Sequence, residues 1–363
     1  MIATNKIRGT RFILSLITGI LFSAIALYLT FKTIPLRDFF SYLETVNYWW
    51  AIPSLTIAIS SFLVRVVRWQ IILAPVKKTG FMNAFHPLMI GFMVNSIFPG
   101  RIGEIARPAI FYKKENVPFS QVLATVISER MFDVAALLIL FIFIFFTVEI
   151  SPDIGINFGD YHLDKNSLEN IFFKSVIACI LLIICIFLIS IKKVRIIISK
   201  IVIKLSRIFS SSGNNRIPKK ENGISFKLIR IIENIALGFE ITKSPTKIIQ
   251  VFLLSLSVWF LMALSFYVMA FGYPGIDLSI LEMCAVLVII CFFIFLPSVP
   301  GFWGLFEAGG VFGMLVFGIP PEVSAGFILV NHVVQIVPTI MIGLISAMIA
   351  GVSITKAAED VGE

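Results

Sequence analysis

Apolar positions along the 363-residue chain fall in blocks rather than in the spacing of a soluble core. Unbroken blocks lie at about 12–31, 50–73, 120–148, 171–191, 248–271 and 322–352. Each is close to the roughly 20 residues that a helix needs to cross a bilayer. Two further stretches are apolar but interrupted: 81–112 at Pro99-Gly100, and 280–318 between Pro297 and Gly304. Proline removes a helical donor and glycine loosens the backbone, so each stretch should be helix, break, helix. Broken backbone at membrane depth is tolerated only where protein or a wet cavity satisfies it. The pattern predicts an all-α polytopic membrane protein with six full spans and two re-entrant helical hairpins.

Composition agrees: 58% of residues are hydrophobic, 14% are charged, and mean hydropathy is +0.98. The net charge of +9 is local, which points to a cytoplasmic membrane surface and not to nucleic acid. Lys6, Arg8 and Arg11 precede the first span, Lys77 and Lys78 follow the second, and Lys113 and Lys114 follow the first interrupted stretch. The segment 192–247 carries 13 Lys/Arg against three acids, whereas 149–170 carries five acids and one lysine. These biases agree if 81–112 enters from the cytoplasm and returns to it, and 280–318 does the same from outside. Both termini are then cytoplasmic, in a cell membrane. The first block exceeds the 7–15 apolar residues of a signal peptide, although Ala24-Ile25-Ala26 resembles a cleavage site. The basic segment 192–247, broken at Ser210 to Gly223, reads as an amphipathic helix on the inner surface or a plain linker. Cys179, Cys185, Cys284 and Cys291 sit in apolar runs without metal spacing and read as small hydrophobes.

This order contains a repeat. Each half reads span, span, hairpin, span, and three crossings per half invert the second against the first. Residues 1–150 form the first half and 151–363 the second, within one membrane domain. Both hairpin tips read P-G-x-x-G, at Pro99 to Gly103 and Pro300 to Gly304, with a glutamate near. Inverted repeats with broken helices are a transporter signature, with the substrate at the repeat interface.

Charged residues inside this apolar frame are the candidate site, since each costs roughly 2.5–3.5 kcal/mol at a bilayer centre. Arg65, Arg68 and Trp69 fall within about 100° of one helix face. Arginines so near a helix end also snorkel to headgroups. Arg101, Glu104 and Arg107 span about 120°, with Arg101 and Glu104 spaced for an i,i+3 pair. A guanidinium beside a free helix N-terminus suits a phosphate. Glu129, Arg130 and Asp133 share a face of the 120–148 span and could pair with Arg65, Arg68 or Arg107. In the second half stand Glu307 and His332, either a packing histidine or a proton relay. Trp303 reads as an anchoring aromatic. With Asn95 before the first break, the candidate substrate-binding set is Arg65, Arg68, Asn95, Arg101, Glu104, Arg107, Glu129, Arg130, Asp133, Glu307 and His332. Its cationic bias favours an anionic headgroup over a metal ion. No cofactor is expected.

Four motifs carry a family resemblance: R-x-x-R-W at Arg65 to Trp69, N-x-x-x-P-G-R-x-G-E-x-x-R at Asn95 to Arg107, E-R-x-x-D at Glu129 to Asp133, and P-x-x-P-G-x-x-G-x-x-E at Pro297 to Glu307. The chain resembles the transmembrane domain of lysylphosphatidylglycerol synthase, the multiple peptide resistance factor, and its stand-alone flippase-like relatives. The resemblance implies a lipid flippase domain with paired re-entrant hairpins and site residues within those four motifs. Longer members append a soluble aminoacyl-transferase domain. Here the chain stops at Glu363, so no synthase activity is expected, and a separately encoded lipid-modifying enzyme becomes a candidate partner. Some relatives are labelled as glycosyltransferase-associated, which leaves the substrate open.

The leading expectation is translocation of a phospholipid or polyprenyl-phosphate lipid through an arginine-lined cavity, with no enzymatic step. A polytopic glycosyl- or phosphotransferase is the alternative, though no D-x-D pair occurs. An ion-coupled exporter of a small anion is a third. No G-x-x-x-x-G-K-[ST] motif supplies ATP binding, so movement would be gradient-driven or downhill.

Overall fold

The computed structural model describes residues 35–147, 244–295 and 300–352, with isolated positions in 21–32 and 156–184. Its helices are α1 (Leu36–Glu44), α2 (Ala51–Leu73), α3 (Phe81–Ile97), α4 (Gly103–Glu115), α5 (Phe119–Thr147), α6 (Pro245–Ala270), α7 (Ile280–Phe293), α8 (Leu305–Val316) and α9 (Pro321–Ala350). Short 3₁₀ turns precede α2 (Tyr48–Trp50) and α8 (Pro300–Phe302). Four helices are long and apolar enough to cross a membrane: Tyr48–Leu73, Phe119–Thr147, Pro245–Ala270 and Pro321–Ala350. They match four of the six expected spans to within three residues. The spans expected at 12–31 and 171–191, and the basic segment 192–247, lie largely outside the described residues.

Two elements depart from the expected pattern. The loop at 149–170 contains an antiparallel pair, β1 (Ile156–Phe158) and β2 (Tyr161–Leu163), in register Ile156 to Leu163. This small hairpin lies in a connecting loop, and the fold class remains all-α. The other is α1, whose Phe39 and Leu43 pack with Val311, Ala325 and Leu329 of α8 and α9. Nine residues are too few for hydropathy to announce a helix that tertiary packing stabilises.

The two interrupted stretches are antiparallel helix pairs. Gly91 of α3 packs on Gly103 and Arg107 of α4, while in the second pair Gly309 packs on Ile290 and Phe293, and Gly313 on Val286. Glycine at such contacts lets backbones approach closely. The first pair starts and finishes at the same end of the bundle. There the Lys77 ammonium, just beyond α2, donates to the Glu115 carbonyl at the close of α4 (2.8 Å) and pairs with its carboxylate (2.7 Å).

Helices α2 and α6 run antiparallel along a common seam. Ser54 and Ser265 each donate a hydroxyl proton to the other's carbonyl at 2.9 Å. Further along, Ser61 meets Met262 and Arg68 meets Ser255. At the Ser54 end the Asn47 N–H donates to Gly272 O (2.9 Å) and the Tyr42 hydroxyl to Pro274 O (3.0 Å). The largest core joins Phe266 and Met269 of α6, Met283 and Val286 of α7, and Phe327 and Ile328 of α9. A second joins Val66, Trp69 and Leu73 of α2 to Leu88 of α3 and Phe111 of α4. On the outside, large apolar side chains such as Leu253 and Phe260 of α6, Phe146 of α5 and Met348 of α9 are exposed. An apolar belt of this extent belongs against hydrocarbon.

Candidate functional site

Each broken pair turns through a Pro-Gly tip with two successive left-handed residues, and the second tip adds a third positive φ at Gly304 (+88°). Gly100 (φ +76°) and Arg101 (φ +54°) are left-handed at the first, as are Gly301 (φ +68°) and Phe302 (φ +63°) at the second. A non-glycine residue in that region costs roughly 1 kcal/mol, so the surroundings must impose it twice. Each tip also satisfies the first free N–H of its outgoing helix with a side-chain oxygen. Asn95 Oδ1 accepts from Gly103 N at 2.7 Å, and Glu307 Oε2 accepts from Gly304 N at 2.6 Å. Gly103 has no alternative, since a Cβ there would lie 1.9 Å from the Gly91 carbonyl oxygen.

The tips touch. Arg101 Nη2 donates to the Ile294 carbonyl at the end of α7 (2.9 Å), and its guanidinium lies over the Phe295 and Phe302 rings. A helix C-terminus attracts a cation. The i,i+3 pair expected between Arg101 and Glu104 does not form among the described residues. Arg101 sits in the left-handed turn and not on α4, so helical spacing does not apply to it. Glu104 instead faces Arg130 at 3.6 Å.

Behind the first tip lies a charged cluster built by α2, α4, α5 and α6. Arg68 is fully buried: it donates to Asp133, to Glu129 Oε1 (2.7 Å) and to Ser255 Oγ (2.8 Å). Arg107 lies 3.7 Å above the Trp69 ring, with Nη2 2.8 Å from Glu129 Oε2 but not aligned for a hydrogen bond. Trp69 is in turn fixed by its indole N–H on Thr125 Oγ1 (3.1 Å). Arg130, partly exposed, reaches Glu129 and Asp133, each at 3.3 Å. Glu129 thus meets three guanidiniums, which compensates its complete burial.

Arg65 is different. It is 6% exposed and shares its helix face with Arg68; Asp133 and Glu129 attract it through space, but no carboxylate is in direct contact with it among the described residues. Its guanidinium lies 5.5 Å from the Phe92 and Trp259 ring centres, and its Nε has no partner. Phe92 also lines a narrow cleft with Asn95, Glu104, Arg107 and Arg130, and stands between that cleft and Arg65. The cluster holds four guanidiniums (Arg65, Arg68, Arg107, Arg130) and three carboxylates (Glu104, Glu129, Asp133), a surplus of one positive charge.

At the second tip, His332 Nδ1 is 2.6 Å from Glu307 Oε1 and Nε2 is 2.8 Å from the Gly301 carbonyl. Phe306 stacks on the imidazole and Trp303 lies tilted against it, so Trp303 packs on the histidine. Eight of the candidate residues therefore gather around the cleft and cluster, while Arg101, Glu307 and His332 meet at the junction of the tips. Ser255, Trp259, Phe92 and Thr125 complete the site. The sequence offers one signal for the first two: they sit on the α6 face that opposes the Arg65–Arg68 face of α2.

The matching tips, the Asn95 cap and the arginine cluster all fall within one stretch of homology. The family model described as lysylphosphatidylglycerol synthase TM region matches residues 16–343. The chain belongs to this family. A relative in the archaeon Methanocaldococcus jannaschii, the UPF0104 membrane protein MJ1595, is 26% identical over 307 residues, 82% of this chain and 84% of the relative. Membership accounts for the apolar belt and the four long helices: this is a helical membrane protein of the lysylphosphatidylglycerol synthase transmembrane family.

Proposed function

We propose that the protein translocates lipids with an anionic headgroup across a cell membrane, and that the phosphate rests at the charged cluster. The observation that carries this is Arg65: a buried guanidinium with no carboxylate in contact among the described residues, beside a cleft that already presents Arg107 and Arg130. Asp133 and Glu129 attract Arg65 through space but are already held by other guanidiniums, so the cluster keeps a buried surplus that a ligand's counter-charge would balance. A phosphodiester carries one negative charge, the amount needed to balance the cluster. Phospholipids and polyprenyl-phosphate-linked lipids both supply that chemistry.

In this reading the two broken pairs are re-entrant hairpins of an inverted repeat, dipping from opposite leaflets, with both termini cytoplasmic. The return of α4 to the Lys77 end supports the first hairpin, and the matched φ values of the tips support the repeat. The protein acts as a transporter and not as an enzyme, and a lipid-modifying enzyme encoded elsewhere would act on or supply its lipid. The test uses purified protein in phosphatidylcholine vesicles carrying fluorescent phosphatidylglycerol, with dithionite quenching of the outer leaflet. Wild type should exchange the probe between leaflets. Arg65→Ala should slow exchange about 30-fold or more, as expected for loss of a buried charge contact. Exchange at the wild-type rate in folded Arg65→Ala would overturn the headgroup role.

A further inference from the structure

The Glu307–His332 pair has a proton inventory that the geometry fixes. The Gly301 carbonyl only accepts, so His332 Nε2 must carry a hydrogen and donate it (2.8 Å). Glu307 Oε2 is occupied by the Gly304 N–H (2.6 Å). The remaining contact, Nδ1 to Oε1 at 2.6 Å, joins a ring nitrogen to a carboxyl oxygen and needs one proton between them. The proton sits either on nitrogen, as imidazolium and carboxylate, or on oxygen, as imidazole and carboxylic acid. Both forms are neutral overall. Removing the proton would leave a lone pair facing a carboxylate, and a net negative charge buried at 0% and 3% exposure. The contact would then separate.

The setting isolates this pair. Phe306 stacks on the ring with centres 4.1 Å apart and Trp303 follows at 4.4 Å. Titratable groups on the elements packed against α8 and α9 are engaged elsewhere or make no contact with it. Arg65 of α2 lies between Phe92 and Trp259, Tyr42 of α1 donates to Pro274 O, His86 of α3 meets Phe85 edge-on, and Tyr267 of α6 meets Phe271 edge-on. Cys291 of α7 is a free buried thiol. Arg101 is the charged side chain nearest the junction, where it holds Ile294 O and covers Phe302. The proton therefore binds the two turns of the second tip, Gly301 through His332 and Gly304 through Glu307.

We propose that Glu307 and His332 form a proton-binding site that couples lipid movement to a proton gradient, the second tip being held closed by the bound proton and released when it leaves. This rests on the lipid-transport reading above. One proton travelling with one monoanionic headgroup makes the step electroneutral: the proton leaves Nδ1 or Oε1 for water on one side and is replaced from the other.

The experiment imposes a gradient of one pH unit on vesicles of phosphatidylcholine and phosphatidylglycerol (3:1) containing the protein and fluorescent phosphatidylglycerol. Coupling to one proton should sustain a roughly tenfold asymmetry of the probe between leaflets. Glu307→Gln keeps the fold, because the amide oxygen still accepts from Gly304 N and the NH₂ can donate to Nδ1; that donation fills the Nδ1 lone pair, and no carboxylate remains to stabilise a proton there. That variant should show no asymmetry, whatever exchange rate remains. Exchange that ignores the gradient in wild type, or asymmetry that persists in Glu307→Gln, would overturn the coupling and leave the lipid reading intact. If wild type moves no lipid, the lipid reading fails, and infrared difference spectra between about pH 5 and 9 decide the proton site. A carboxyl or imidazole band lost in Glu307→Gln sustains it, and no such band removes it.

Discussion

At the first tip the Gly103 N–H is held by the amide of Asn95, and at the second the Gly304 N–H is held by the carboxylate of Glu307. Both turns are left-handed at a glycine and at the residue after it. An amide has no proton to exchange. A carboxylate paired with an imidazole does. The surroundings diverge in the same sense: behind the first tip stand four arginines and three acids, while around the second are aromatic rings and one neutral pair. The first tip thus backs onto a cluster of fixed charges, and the second onto a single hydrogen-bonded acid and base among aromatic rings.

The sharpest way to break this contrast is to remove a fixed charge. Arg68→Met removes the guanidinium that bonds both Asp133 and Glu129, leaving them to Arg107 and Arg130, and should cost about 3–5 kcal/mol, enough that little folded protein survives a thermal-shift assay in detergent. Glu307→Gln, which preserves the hydrogen bonds of the second tip, should by comparison lower the melting temperature only slightly. Next in size is Gly103→Ala, whose Cβ meets the Gly91 backbone. A loss of about 1–3 kcal/mol is expected, against about 1 kcal/mol for Gly100→Ala, which meets nothing but must hold φ +76°. Comparing the two melting curves separates crowding from backbone strain. Arg101→Met should cost about 1 kcal/mol, the value of a charged hydrogen bond discounted for partial exposure, and should increase protease cleavage near the tips. The smallest effect has the opposite sign. Arg65→Leu removes the surplus buried charge of the cluster and should raise stability by about 1 kcal/mol while lipid exchange falls. A melting temperature that drops on Arg65→Leu would show that the guanidinium is already balanced.

The long helices could be read from the sequence because twenty or more apolar residues have few other uses, and both breaks were announced by Pro-Gly. Helix faces were also readable: Arg65, Arg68 and Trp69 do share one, as do Glu129, Arg130 and Asp133. Partner choice was not. That Arg68 takes both acids, that Arg107 takes Glu129 and stacks on Trp69, and that Arg65 is left over are consequences of how α2, α4 and α5 dock. Spacing within a helix cannot encode a contact between helices. The Arg101–Glu104 expectation failed for a related reason, since it assumed a helix where the chain is still turning. The meeting of Glu307 and His332, 25 residues apart, was within reach because two polar groups in apolar helices have few other partners.

The reciprocal serine clasp between Ser54 and Ser265 has a mechanical consequence. Two hydroxyls each bound to the opposite backbone pin α2 to α6 at one extremity of their seam, where the Asn47–Gly272 bond adds a third stitch. Toward the other extremity the seam is bridged by Arg68 and Ser255 and flanked by Arg65 against Trp259. The seam is thus stitched at both extremities, by neutral hydroxyls at one and by a charged guanidinium at the other, so sliding α2 along α6 has to break bonds at each.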